Sequence, residues 1–173
     1  MNHSLIDAKV LGNSQLPEEI ITLIHHYRKG QIDDAQMTNW LKAVCEHGMS
    51  HEETFAVVEA MMSSGSKMDF SHIEGFKCDK HSTGGVGDNI SLILAPLLAA
   101  AGLKIPMISG RSLGHTGGTI DKLETIPGFR TDVAVDEFQH WVNNVGCGIM
   151  AQSDEICPAD GKIYALRDIT GTI

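Results

Sequence analysis

The chain has 173 residues, 42% hydrophobic and 20% charged, which is long enough for a sizeable core and ordinary in composition for a globular protein. With 22 acidic against 13 basic residues the net charge is −9, which argues against nucleic-acid binding and leaves the capture of any anion to local donors. The four cysteines form no C-x-x-C and no zinc spacing with the nine histidines, no apolar leader opens the chain, and the longest apolar run (92–101) is too short for a bilayer. The expectation is a cytoplasmic protein without a metal, a cofactor or a membrane partner.

In chain order, Leu5, Ile6, Val10 and Leu11 predict a short helix stopped by Gly12. Pro17 then suits a first helical turn, with Ile20, Leu23, Ile24 and Tyr27 on one face and Gly30 as the stop. Asp33 or Asp34 caps a helix striped by Met37, Trp40, Leu41 and Val44. Ser50 and Glu53 have capping-box spacing, and the next helix is expected to turn Phe55, Val58, Met61 and Met62 inward. These stripes read as core or subunit contact, and His25, His26, His47 and His51 as solvated or capping residues.

The stretch 66–77 has weak periodicity and reads as a connector. A short strand over 76–79 delivers Lys80, and Asp88 caps a buried helix running to Ala101. A strand is predicted over 105–109, a short helix opened by Gly117, Gly118 and Thr119, a helix over 135–145 and a strand over 147–151. A last helix covers about 159–167. Strands alternating with helices imply a parallel α/β sheet, whose ligands collect at the carboxyl ends of the strands.

Two glycine-rich clusters lie at such ends. The first, K-H-S-T-G-G-V-G-D at 80–88, lets several N–H groups face one point, and Lys80, Ser82, Thr83 and Ser91 add a charge and hydroxyls. The second, at 109–124, is built in the same style. Together they indicate a site for a phosphate-sized anion. The lysine precedes the glycines, so this is not a Walker loop, and Ile90 stands where a dinucleotide fingerprint needs its third glycine.

The run K-H-S-T-G-G-V-G-D, then S-G-R-S-L-G-H-T-G-G-T-I-D-K-L-E, then P-A-D-G-K-I-Y-A-L-R-D-I-T at 158–170, resembles the thymidine and pyrimidine nucleoside phosphorylase family. The resemblance runs from about Leu16 to the last residue. It implies a small N-terminal helical domain (1–65), a hinge connector (66–79) and the first part of a larger, mainly parallel α/β phosphate-binding domain (80–154). A segment returning to the helical domain (155–173) follows, in a chain truncated relative to the family. It implies phosphorolysis of thymidine to thymine and 2-deoxyribose 1-phosphate, with inorganic phosphate as co-substrate, and a homodimer formed through the helical domain.

Carried over by position, the resemblance places the phosphate ligands on Lys80, Ser82, Ser91, Ser109 and Thr119. His81 falls near the leaving base as donor, and Arg167 and Tyr164 fall on the base. A potassium site described for some members maps to Gly87 and to Asn89, where the family has a threonine; that substitution puts the ion in doubt. His115 is given a loop-stabilising role. The alternatives are a phosphorylase that also accepts uridine, a phosphoribosyltransferase of the anthranilate type, and a non-catalytic truncated fragment. The first two are separated by their substrates, the last by whether phosphorolysis occurs at all. The isolated chain is expected to be inactive.

Overall fold

A computed structural model describes residues 2–82, 88–111 and 116–172. The chain divides into two compact units: residues 1–67 with 153–173, and residues 68–152.

The first unit is helical, with α1 (Asn2–Val10), α2 (Pro17–Arg28), α3 (Asp34–His47), α4 (His51–Met62) and α8 (Pro158–Thr170). Its helices begin where local chemistry satisfies their first N–H groups. Pro17 supplies no donor at the start of α2. Asp33 accepts from the Gln36 N–H, and Ser50 from the Glu53 N–H, each within a capping box. α2 packs on α4, α1 on α3, and α8 against α2, α3 and α4. The predicted stripes of α2 and α3 form the core, with Ile20, Leu23, Ile24, Tyr27, Met37, Trp40 and Leu41 all buried.

α4 departs from expectation. Phe55 is 72% exposed and Val58 and Met62 face outward as well, while Ala56 and Ala60 are buried. Phe55, Val58 and Met62 share one face by i, i+3, i+7 spacing, but the two alanines make the opposite face flat enough for close approach to α2. The alanines take the centre of the contact, Met61 packs against the core as expected, and Phe55, Val58 and Met62 do not.

A buried polar network crosses the same unit. Glu53 is 2% exposed and Lys9 3%. The Lys9 ammonium lies 2.8 Å from Glu53 Oε1, which also accepts the Gln15 N–H at 2.9 Å, and Oε2 accepts the Ser50 N–H at 2.7 Å. The Gln15 amide then takes the Trp40 indole N–H at 2.7 Å and donates to the Leu5 carbonyl at 2.7 Å. Burial disfavours the Glu53 carboxylate, but Lys9 and the Ser50 and Gln15 N–H groups outweigh it and lower its pKa.

The second unit contains α5 (Ile90–Ala100), β1 (Ile105–Ser109), α6 (Thr119–Leu123), α7 (Val135–Val145) and β2 (Cys147–Ala151). β1 and β2 pair in parallel, Ile105 opposite Cys147 and Ser109 opposite Ala151, with α5 and α7 packed against them. The strand expected over 76–79 is reduced to a single parallel bridge, Lys77 to Lys104. The helix α5 begins at Ile90, so Asp88 stands one residue before its cap, Asn89. α5 is also less buried than expected: Ser91 and Ala95 face inward, whereas Ile90, Ile93 and Leu97 are exposed. α7 buries Phe138 and Val142 but leaves Val145 exposed, and it ends at Gly146, whose φ of 94° is left-handed.

Candidate active site

The stretches that lead into the two glycine-rich segments run beside each other. The Lys77–Lys104 bridge sets the first segment beside the chain entering β1, and Lys80 follows three residues later. The second segment begins where β1 ends, at Ser109.

This second segment folds back tightly on itself. The Ile120 N–H reaches the Gly110 carbonyl, and a Cβ added to Gly118 would lie 2.3 Å from the Arg111 carbonyl oxygen. Only glycine lets these two backbones come so close. Arg111 holds the turn from outside with a two-pronged contact to Glu124, at 2.7 and 2.8 Å, and the Thr131 hydroxyl donates to Glu124 at 2.6 Å. Arg111 and Thr131 together hold the Glu124 carboxyl at about 2. The result places Thr119, the first residue of α6, in a buried position.

Three of the expected anion ligands meet at one oxygen. The Lys80 ammonium lies 2.6 Å from Asp88 Oδ2, the Thr119 hydroxyl donates to the same oxygen at 3.2 Å, and the Ser91 hydroxyl donates to it as well. The other carboxylate oxygen, Oδ1, accepts the Ser91 N–H at 3.2 Å. Ser91 is fully buried and Thr119 nearly so, while Lys80 and Asp88 are half-buried. Burial works against ionisation of Asp88, but the Lys80 ammonium and both Ser91 donors hold its carboxyl well below the usual carboxylate range. The arrangement is a negatively charged oxygen gripped by an ammonium and two hydroxyls contributed by separate stretches of chain. Chemically it is what binding one oxygen of an oxyanion demands.

The remaining predicted residues are distributed as follows. Ser82 is half-buried two residues past Lys80, and Ser109 is half-buried at the end of β1. His81 is exposed, next to Lys80, and Asn89 is exposed just before α5. Gly87, Thr83 and His115 lie outside the described residues. Arg167 and Tyr164 belong to the helical unit, both half-buried on α8. The Arg167 Nε–H donates to the Thr172 carbonyl at 3.0 Å, and burial together with nearby Asp168 raises the Tyr164 phenol.

The sequence presents Asp88 as a helix cap; in the structure its larger part is to gather Lys80, Ser91 and Thr119. The available signal was a carboxylate three residues before Ser91 and inside a lysine-led glycine run, in a cluster otherwise made only of donors.

Comparison with known proteins matches both units of this architecture. Residues 3–65 match the helical bundle domain of a glycosyl transferase family, and residues 74–173 match its a/b domain. The chain belongs to that family. It is 49% identical over 169 residues to a pyrimidine-nucleoside phosphorylase of Geobacillus stearothermophilus, covering 98% of this chain and 39% of that protein. It is 48% identical over 171 residues to a thymidine phosphorylase of Agrobacterium fabrum, with the same coverage. The chain thus spans about two fifths of the length of these relatives. A solved anthranilate phosphoribosyltransferase from Thermus thermophilus shares the fold, with a TM-score of 0.70 at 18% identity, over 96% of this chain and 50% of that one. Among the described residues no helix is long and apolar enough to cross a membrane.

Proposed function

We propose that the complete protein is a phosphorylase of pyrimidine nucleosides, with thymidine as the preferred substrate, thymine and 2-deoxyribose 1-phosphate as products, and inorganic phosphate as co-substrate. The observation that carries this reading is the convergence of Lys80, Ser91 and Thr119 on one anionic oxygen. The names of the relatives support the choice of nucleoside chemistry over other group transfers in the same fold.

In this reading, Lys80, Ser91 and Thr119, joined by Ser82 and Ser109, hold phosphate so that one of its oxygens faces C1′ of the sugar. The bond from C1′ to the base nitrogen breaks, its electron pair leaves with the pyrimidine, and a phosphate oxygen forms the new bond to C1′. The bound dianion stabilises the positive charge that builds on the sugar between the two events. His81 donates a hydrogen bond or a proton to the base carbonyl as negative charge develops there. Arg167 and Tyr164 are assigned to recognition of the base. Phosphate is consumed, so it enters as a substrate, and no cofactor is part of the proposal. Assembly as a homodimer through the helical unit and a cytoplasmic location belong to the same proposal. The 173-residue chain by itself is proposed to be inactive.

The test is release of free base from thymidine and from uridine, followed by ultraviolet absorbance with and without inorganic phosphate. Phosphate-dependent release that is faster with thymidine supports the proposal. Equal rates on both nucleosides would favour the broader pyrimidine specificity, and release without phosphate would rule phosphorolysis out.

A further inference from the structure

We infer that Asp88 is the positioning residue of the anion site, an internal carboxylate that holds Lys80, Ser91 and Thr119 in the register an oxyanion needs. The inference deepens the phosphorolysis reading and rests on it.

The three donors come from three places. Lys80 precedes the first glycine cluster, Ser91 lies in the first turn of α5, and Thr119 opens α6, 31 residues beyond Asp88. The backbone brings the three stretches near one another, and the direction of each side-chain tip is left to its own torsions. A lysine side chain has many rotamers open to it, and each hydroxyl turns freely unless an acceptor fixes it. Asp88 Oδ2 supplies that acceptor to all three at once. The carboxylate is itself held in place, because Oδ1 takes the Ser91 N–H and so ties it to the start of α5.

A plain helix cap would need only this last contact. The three contacts to Oδ2 contribute nothing to capping and involve the very side chains expected to bind phosphate. Charge also matters. A carboxylate and an ammonium make a hydrogen bond about twice as strong as a neutral pair, so aspartate anchors Lys80 in a way asparagine does not. Asparagine, by contrast, caps helices about as well as aspartate. The amide variant therefore separates the two roles.

The experiment is calorimetric titration of inorganic phosphate into the 173-residue chain at fixed ionic strength, for the wild type, Asp88→Ala, Asp88→Asn and Lys80→Ala. The melting temperature of each is recorded alongside. Losing the anchor that fixes a charge-assisted contact is expected to weaken phosphate binding about 10- to 150-fold in Asp88→Ala. Asp88→Asn should fall between that variant and the wild type while melting like the wild type. Lys80→Ala should bind at least as weakly as Asp88→Ala. Wild-type affinity in Asp88→Asn would reduce Asp88 to a cap, and tighter binding in either Asp88 variant would make it a competitor of phosphate; either result overturns the inference. Should Lys80→Ala also bind phosphate like the wild type, the anion-site reading fails, and the positioning role fails with it.

Discussion

Replacing Lys9 by methionine removes the only ammonium facing Glu53 among the described contacts, and it does so in a place closed to water. Lys9 and Glu53 are each at most 3% exposed, and the ammonium sits 2.8 Å from Oε1. Methionine fills nearly the same volume, so packing changes little and the loss is electrostatic. The carboxylate keeps the Gln15 and Ser50 N–H groups but loses its counter-charge. Breaking one half of such a pair costs about 3–5 kcal/mol, because the remaining charge stays buried. At roughly 4–8 °C per kcal/mol for a unit of fewer than 100 residues, the helical unit should melt at least about 12 °C lower. Circular dichroism at 222 nm across a thermal ramp at pH 7 measures this directly. Pairing Lys9→Met with Glu53→Gln should restore part of the loss: no unpaired charge stays buried, but Gln15 and Ser50 donate to different oxygens and the single amide oxygen keeps only one of them. The pH dependence has a definite sign. The Glu53 pKa is lower in the folded chain, so its contribution is complete above the unfolded value, about 4.3, and is lost as the pH falls through the folded value. The difference between wild type and Lys9→Met should therefore shrink in acid. A single variant that melts within 1 °C of the wild type at pH 7 would refute the reasoning.

Two further outcomes are expected. In the complete protein, His81→Ala should lower kcat by about 10²- to 10⁴-fold with little change in the KM for phosphate, as measured by steady-state release of thymine; unchanged turnover would leave His81 a loop residue. Gly118→Ala should destabilise the second unit and weaken phosphate binding, because its methyl group meets the Arg111 carbonyl at 2.3 Å; a wild-type melting curve and affinity would contradict the close approach.

Much of the scaffold was legible from local pattern. The stripes of α2 and α3 repeat at helical spacing and have polar opposite faces, so burial follows from periodicity alone. β1 and β2 fall where short apolar runs end in glycine or polar clusters. The pattern misled where apolar residues surround the helix. α4 and α5 carry large side chains on more than one face, and the chain buries Ala56, Ala60, Ser91 and Ala95 because small residues permit close packing. Contacts between distant residues were invisible for a different reason. Lys9 and Glu53 are 44 positions apart, and Asp88 and Thr119 are 31 apart. No local spacing announces such a pair, so the donors of the anion site follow from the sequence, and so does a carboxylate near Lys80 and Ser91, whereas its reach to Thr119 does not.

The central claim is that the cluster around Lys80 presents phosphate to a nucleoside. Phosphorus-31 NMR of the complete protein with thymidine and inorganic phosphate tests it most directly. The claim predicts that a sugar 1-phosphate resonance grows as the inorganic phosphate signal falls. It also predicts that Lys80→Ala raises the KM for phosphate about 10- to 150-fold, the loss of one charge-assisted contact of about 1.5–3 kcal/mol. Thymine released with no sugar phosphate, or a Lys80→Ala protein with the wild-type KM for phosphate, would contradict it.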